Sequence, residues 1–100
     1  MKVLITDDVH QSLIQGLEAL AFVCDYQPKI SDAEVRTIIS DYAGIIINSK
    51  INVDSAMIDL AKNLKFVGRV GSGMEIVDIP YAESKNIAVL SSPEGNRNAV

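Results

Sequence analysis

The sequence predicts an α/β fold with a five-stranded parallel sheet covered by helices on both faces. Two observations lead to this prediction. Short apolar runs alternate with amphipathic helical segments five times along the 100 residues, and the connections between them are short. The strand-like runs are continuously apolar rather than alternating, which is typical of parallel strands that are buried on both faces.

The first half of the chain contains three predicted strands and two predicted helices. Asp7 or Asp8 can cap the first helix, and the second opens with a capping box, Ser31-x-x-Glu34. We predict the strands over residues 3–6, 22–24 and 44–47, with the first of them central in the sheet. At helical spacing, the apolar faces are Leu13, Ile14, Leu17 and Leu20 in the first helix, and Val35, Ile38, Ile39 and Tyr42 in the second.

The second half repeats the alternation. Asp54 and Asp78 can cap the third and fourth helices, with Pro80 in a first turn and Asn86 in the left-handed position at a helix end. Met57, Ile58, Leu60 and Ala61 form the apolar face of the third helix, and residues 66–69 and 87–90 are the last two strands. Right-handed crossovers then give a flavodoxin-like three-layer sandwich with strand order 2-1-3-4-5.

Composition narrows the class of protein. The chain is 48% hydrophobic but only 5% aromatic, so the core is aliphatic. A net charge of −4 argues against a nucleic-acid surface, and no apolar run approaches the roughly 20 residues of a membrane span. The single cysteine, Cys24, excludes an internal disulfide and is expected as a small core residue. We therefore expect a cytoplasmic protein without nucleic-acid or membrane partners.

Polar loops at the carboxyl ends of neighbouring strands predict a site for a small anion. Gly68, Gly71 and Gly73 mark the turn after strand four, where Gly71 and Gly73 flank Ser72 and leave the backbone N–H groups accessible. Asn48, Ser49 and Lys50 follow strand three, and the two loops should converge at one edge of the sheet. The alternative is a tight turn that binds nothing. The turn does not match a dinucleotide fingerprint, because Ile76 stands where the third glycine is required.

Other polar residues have structural explanations. Lys50 is evenly balanced between a solvated loop residue and a charge for the anion, Arg69 is expected to be a structural partner of a carboxylate, and His10 is expected at the surface. The sequence has no metal-ligand spacing and no nucleophile–base pair. A phosphorelay receiver domain is rejected, because Asn48 and Ser91 stand where its phosphoacceptor aspartate and its lysine would be needed.

The run from Leu64 to Asp78 resembles a family signature. It is similar to the Gly-Arg-x-Gly-x-Gly-x-Asp-Asn-x-Asp motif of the D-isomer-specific 2-hydroxyacid dehydrogenases, with Glu75 and Ile76 in place of Asp-Asn. Ser92-Pro93-Glu94-Gly95-Asn96 resembles the segment before that family's interdomain helix. The resemblance covers essentially the whole chain, and the phosphoglycerate dehydrogenases are the most similar group. Asn48 replaces an arginine that reaches the substrate phosphate in that group, so glyoxylate, hydroxypyruvate or another 2-hydroxy acid stays open; Lys50 can substitute as a point charge.

The resemblance implies a domain organisation and a set of site residues. Residues 1–95 would form the substrate-binding (catalytic) domain and 96–100 the start of the interdomain helix, with the NAD-binding domain and the catalytic Arg, Glu and His lying beyond residue 100. The chain itself would therefore contain no catalytic residue and would not bind NAD alone. The implied substrate-binding residues are Ser49, Lys50, Val70, Gly71, Ser72 and Gly73, and Asn96 and Val100 would approach the cofactor.

Two functional hypotheses follow. The first is the substrate domain of an NAD-dependent 2-hydroxyacid dehydrogenase, which binds a small anionic 2-hydroxy or 2-oxo acid and forms a homodimer or larger assembly at full length. The second is a stand-alone anion-binding or regulatory domain of the same fold. A Gly-x-Gly-x-x-Gly loop encoded after Val100 would favour the first hypothesis, and a stop codon there would favour the second.

Overall fold

The computed structural model of the chain describes residues 1–7, 9, 11–48, 51–70 and 77–92. Within these residues, five parallel strands form one sheet in the order β2-β1-β3-β4-β5, which confirms the predicted fold class and strand order. β3 is the middle strand, and β1 lies inside the sheet between β2 and β3. The strands are β1 (Lys2–Ile5), β2 (Val23–Tyr26), β3 (Gly44–Ile47), β4 (Phe66–Val70) and β5 (Ala88–Ser92).

Helices cover both faces of this sheet. The helices are α1 (Gln11–Ala19), α2 (Asp32–Ile38), α3 (Ser55–Leu60) and α4 (Ile79–Ser84), and a short 3-10 helix, Ile39–Asp41, follows α2. The larger core lies on the face packed by α2, α3 and α4, where Leu4, Ile45 and Val67 of the strands meet Val35, Met57 and Ala82 of the helices. The opposite face packs Val3, Ile5 and Ile46 against α1.

The predicted helix caps are confirmed for three of the helices. The capping box of α2 is complete, with both the Ser31 and Glu34 side chains bonded to the backbone. Asp54 accepts a hydrogen bond from the Met57 N–H at 2.9 Å, and Asp78 accepts one from the Tyr81 N–H at 3.2 Å. Asn86 has φ 64°, in the left-handed region expected of it.

The predicted helix faces were wrong at three residues. Leu20 is 71% exposed, because α1 ends at Ala19 and the chain turns through Ala21 at φ 74°. Leu60 is 43% exposed, because it lies on a different side of α3 from the residues packed in the core, which are Met57, Ile58 and Ala61. Tyr42 is buried but not helical, because the α-helix ends at Ile38 and Tyr42 already has an extended backbone.

Smaller corrections concern the ends of the elements. α1 begins at Gln11, so Asp7 is too far from it to be the N-cap, and Asp8 lies outside the described residues. β5 runs on to Ser92 because it stays paired with β4 as far as Val70. Gly68 lies in the middle of β4 rather than in the turn after it. Within the described residues, no helix has both the length and the apolar character needed to cross a membrane.

Candidate functional site

The carboxyl ends of β3, β4 and β5 lie side by side, as the sequence predicts. Ile47 at the end of β3 pairs with Arg69, and Val70 at the end of β4 pairs with Ser92. The connections that leave β3 and β4 therefore start from adjacent strands at one edge of the sheet. In open α/β sheets this is the edge at which ligands bind.

The ends of the two connections, which lead into α3 and α4, also lie next to each other. Ile51 and Val53, in the connection after β3, are completely buried. Val53 forms an isolated parallel bridge with Val77, which closes the connection after β4. The Asp78 N–H donates to the Val53 carbonyl at 2.9 Å. The end of one connection is thus tied by backbone pairing to the end of the other.

A polar network anchors the end of the β3–α3 connection to α2. Arg36 donates from Nε to Asp32 at 2.5 Å, from Nη1 to Asp54 at 3.2 Å, and from Nη2 to the Asn52 carbonyl at 3.1 Å. Asp32 in turn accepts the Asn52 N–H at 2.9 Å. Sequence reasoning missed this network. The spacing of Asp32 and Arg36, four residues apart on a helix, was its one readable signal.

The network shifts the acidities of its members. The Met57 N–H and then Arg36 hold the pKa of Asp54 below its ordinary value. Burial alone would raise the pKa of Asp32, but its hydrogen bonds from Arg36 and the Asn52 N–H outweigh this and lower it. The hydrogen bond from Arg36 to Asp32, followed by that to Asp54, raises the pKa of the guanidinium. All three groups therefore stay ionised near neutral pH, and the network keeps its charges.

Most of the predicted site residues lie outside the described residues. Of the predicted set, Val70 is described; it is the last residue of β4 and partly buried. The remaining residues stay predictions, and so does the surface position of His10. The predicted site residues outside the described ranges are Ser49, Lys50, Gly71, Ser72, Gly73, Asn96 and Val100.

Arg69 and Val70 are neighbours in β4 with different surroundings. Arg69 is only 2% exposed and is among the largest fully buried side chains. The predicted pairing of Arg69 with a carboxylate stays a prediction. Both residues also line an apolar groove of about 170 Å³, together with Leu13, Leu17, Ile46, Phe66, Gly68 and Leu90. The apolar lining makes this groove unsuitable as the anion site.

Sequence comparison assigns this chain to a protein family. The model of the family described as "D-isomer specific 2-hydroxyacid dehydrogenase, catalytic domain" matches residues 3–100. This chain belongs to that family. D-3-phosphoglycerate dehydrogenase of Synechocystis sp. is 37% identical over 95 residues, which are 95% of this chain and 17% of that protein. The chain spans about a fifth of the length of the curated relatives it matches, with 22% of the Saccharomyces cerevisiae enzyme as another example.

Solved structures share the fold. The NAD⁺-bound 3-phosphoglycerate dehydrogenase of Entamoeba histolytica superposes with a TM-score of 0.78 at 24% identity, over 98% of this chain and 34% of that one. A glyoxylate reductase from Paecilomyes thermophila superposes with a TM-score of 0.75 at 18% identity, over 94% of this chain and 32% of that one. At these identities the likeness shows the fold, and the family membership stands on the sequence match.

Proposed function

We propose that this chain is the substrate-binding domain of an NAD-dependent D-2-hydroxyacid dehydrogenase similar to the phosphoglycerate dehydrogenases. The match of the family's catalytic domain to residues 3–100 carries the proposal. The adjacent connections at the carboxyl edge support it, because they start from neighbouring strands and end in a shared backbone bridge. In this proposal residues 1–95 form the domain, and residues 96–100 begin the helix that leads to a second, NAD-binding domain.

The role of this domain is to bind and orient the substrate. Backbone N–H groups at Gly71, Ser72 and Gly73 would hold the carboxylate, and Lys50 would add a positive charge for a second anionic group. The Ser49 hydroxyl, in the connection after β3, would donate a hydrogen bond to the substrate. Fixing the substrate in one orientation is a large part of what an enzyme contributes to a reaction between two bound molecules.

NAD supplies the hydride acceptor in this family's chemistry, and in this proposal its binding site lies in the second domain. A dinucleotide fingerprint lies in the turn after the first strand, between it and its helix. Here residues 6–10, between β1 and α1, contain no glycine. The cofactor would be held by the second domain, with Asn96 and Val100 approaching it from this one.

The substrate is the open part of the proposal. Asn48 carries no charge, which favours a non-phosphorylated 2-oxo acid such as glyoxylate or hydroxypyruvate, whereas Lys50 favours a phosphorylated one. The complete enzyme assayed with each acid would distinguish them by kcat/KM. A homodimeric or larger assembly and a cytoplasmic location belong to the same proposal, and sedimentation of the complete enzyme would test the first of these.

Substitution at the predicted loops tests the site. In the complete enzyme we expect Gly73→Val to lower kcat/KM by about 10²-fold, because a side chain there would displace the backbone donors. Lys50→Ala should mainly raise KM, which is the pattern of lost uniform binding. Gly16→Ala is the control, because Gly16 is exposed in α1 with no atom near its missing Cβ. Normal kinetics in a folded Gly73→Val enzyme would remove this turn from the site.

A further inference from the structure

We propose that Arg36 is a positioning residue that fixes the ends of the connections after β3 and β4, residues 52–54 and 77–78, and so sets the affinity for the substrate. The effect on affinity rests on the proposed function. The arrangement itself rests on contacts of described residues, none of which belongs to the predicted substrate-binding set.

Arg36 bonds to three separate groups with its three nitrogens. Two of the groups, the Asn52 carbonyl and the Asp54 carboxylate, belong to the end of the β3–α3 connection, and the third is Asp32 in the same helix as Arg36. A second bond from Nη2 reaches the other oxygen of Asp54 at 3.3 Å. The guanidinium is well suited to this, since its donors are fixed in one plane, whereas a lysine offers one point charge.

Asp32 also bonds to the end of the β3–α3 connection, and we call the bonds of Arg36 and Asp32 to residues 52–54 the anchor. Its second oxygen accepts the Asn52 N–H, so the peptide groups on both sides of Asn52 are bonded to α2. Asp54 is at the same time the N-cap of α3. The side chain of Arg36 is 25% exposed, and those of Asp32 and Asp54 are 31% and 46% exposed, so water screens the charges only in part.

Val53 joins the anchored residues 52–54 to the end of the connection after β4. This residue lies between the two residues bonded to Arg36, and it forms the bridge to Val77 and accepts the Asp78 N–H. Val53 is fully buried and Val77 is 6% exposed, so the bridge is packed into the core. A shift of residues 52–54 therefore moves the residues that close the connection after β4 as well.

Two measurements on the complete enzyme test the proposal. The first is hydrogen exchange at the Asn52 and Asp78 amides, which report the anchor and the bridge directly. The second is a double-mutant cycle of Arg36→Ala and Lys50→Ala on KM. Arg36→Lys is the conservative variant. Asn63→Ala is the matched control, because it removes a long-range bond to a carbonyl, that of Ser40, away from both connections.

We expect Arg36→Ala to speed exchange at both amides and to raise KM by about tenfold, with kcat changed much less. Arg36→Lys should restore only part of the affinity. In the Lys50→Ala background, the effect of Arg36→Ala on KM should be smaller. Arg36 is expected to act by positioning the loop that carries Lys50, so its effect depends in part on that lysine. Asn63→Ala should leave the exchange of both amides and KM unchanged, whatever its effect on stability.

The outcomes separate this inference from the proposed function. If Lys50→Ala raises KM but Arg36→Ala changes neither KM nor the two amides, the positioning role is wrong and the function stands. If neither Gly73→Val nor Lys50→Ala changes the kinetics while Arg36→Ala speeds exchange at Asn52 and Asp78, the bonds of Arg36 to residues 52–54 have the proposed structural effect and the proposed substrate site is wrong. If Arg36→Ala and Asn63→Ala changed KM equally, the effect of Arg36 would come from general loss of stability, and the inference would be wrong.

Discussion

Gly44 lies against the ring of Phe66, and the contact leaves no room for a side chain. A Cβ built there would come within 2.2 Å of the ring, which packs edge-on against Phe22 with 5.7 Å between the centroids. Moving the ring would therefore disturb the packing on the α1 face. Gly16 is the opposite case, because it lies exposed in a helix with open space around it.

We expect opposite effects of the same substitution at these two glycines. Gly44→Ala should destabilise the domain by about 1–3 kcal/mol through overpacking. Gly16→Ala should stabilise it by about 1 kcal/mol, because alanine loses less backbone entropy in a helix. Urea unfolding of both variants gives the two free energies of unfolding. A loss of stability in Gly16→Ala, or none in Gly44→Ala, would contradict this account of the packing.

Tyr42 makes two side-chain contacts that could not be predicted from the sequence. Its hydroxyl donates to Asp25 in β2, and the Lys2 ammonium lies 4.9 Å from the centre of its ring. Burial, followed by the hydrogen bond to Asp25, raises the pKa of Tyr42 to about 12. The same hydrogen bond is the main cause that lowers the pKa of Asp25.

The raised pKa of Tyr42 predicts a loss of stability in alkali. Its folded pKa is about 12 against an ordinary 10.0, so its contribution is complete below pH 10.0 and is lost as the pH rises toward about 12. Phenolate absorbance should show a late titration that Tyr42→Phe removes and that Asp25→Asn moves to lower pH. Asp59→Asn is the control, because it should lower the pKa of Tyr81, which the hydrogen bond to Asp59 raises, and leave the Tyr42 step unchanged. An unchanged late step in Asp25→Asn would exclude this pairing.

At the scale of elements, local sequence signals located the helix starts better than the helix ends. Ser31, Asp54 and Asp78 could be recognised as caps because capping depends on residues three positions apart. The end of α2 could not be recognised, because the apolar spacing continues through Tyr42 while the chain changes to a 3-10 turn and then to extended backbone. Directly after Tyr42, the Ala43 N–H donates to the Lys2 carbonyl in β1, so pairing with a distant strand accompanies the change.

Two of these caps should differ in their dependence on pH. Ser31→Ala should cost about 1 kcal/mol at any pH, since a hydroxyl does not titrate. Asp54→Ala should cost a similar amount at neutral pH. Because the pKa of Asp54 is lowered from 3.8, its contribution is present above pH 3.8 and is lost as the pH falls through the lower folded value. Urea unfolding across the acidic range measures both, and a pH-independent cost for Asp54→Ala would show that its charge does not matter.

At the scale of the whole molecule, strand order could be predicted because alternating strands and helices leave few arrangements of a parallel sheet. The order in turn predicted which loops start side by side, and the structure confirms that β3 and β4 are neighbours. The bonds between Arg36 and residues 52–54 could not be predicted, since they join segments 16–18 residues apart through side chains whose partners are set by packing. The bridge of Val53 to Val77 is longer-range still.

The last prediction concerns the 100-residue chain by itself. Its described residues form a five-stranded sheet with packed side chains on both faces, so we expect it to fold. We do not expect it to bind NADH or to catalyse hydride transfer, because its first β–α turn has no glycine and its Gly71–Ser72–Gly73 turn lacks the third glycine of a dinucleotide site. Calorimetric titration with NADH measures this directly, with the complete enzyme as the positive control. Saturable binding at micromolar concentration would mean that the dinucleotide site lies within these residues and that the assignment of this domain to the substrate alone is wrong.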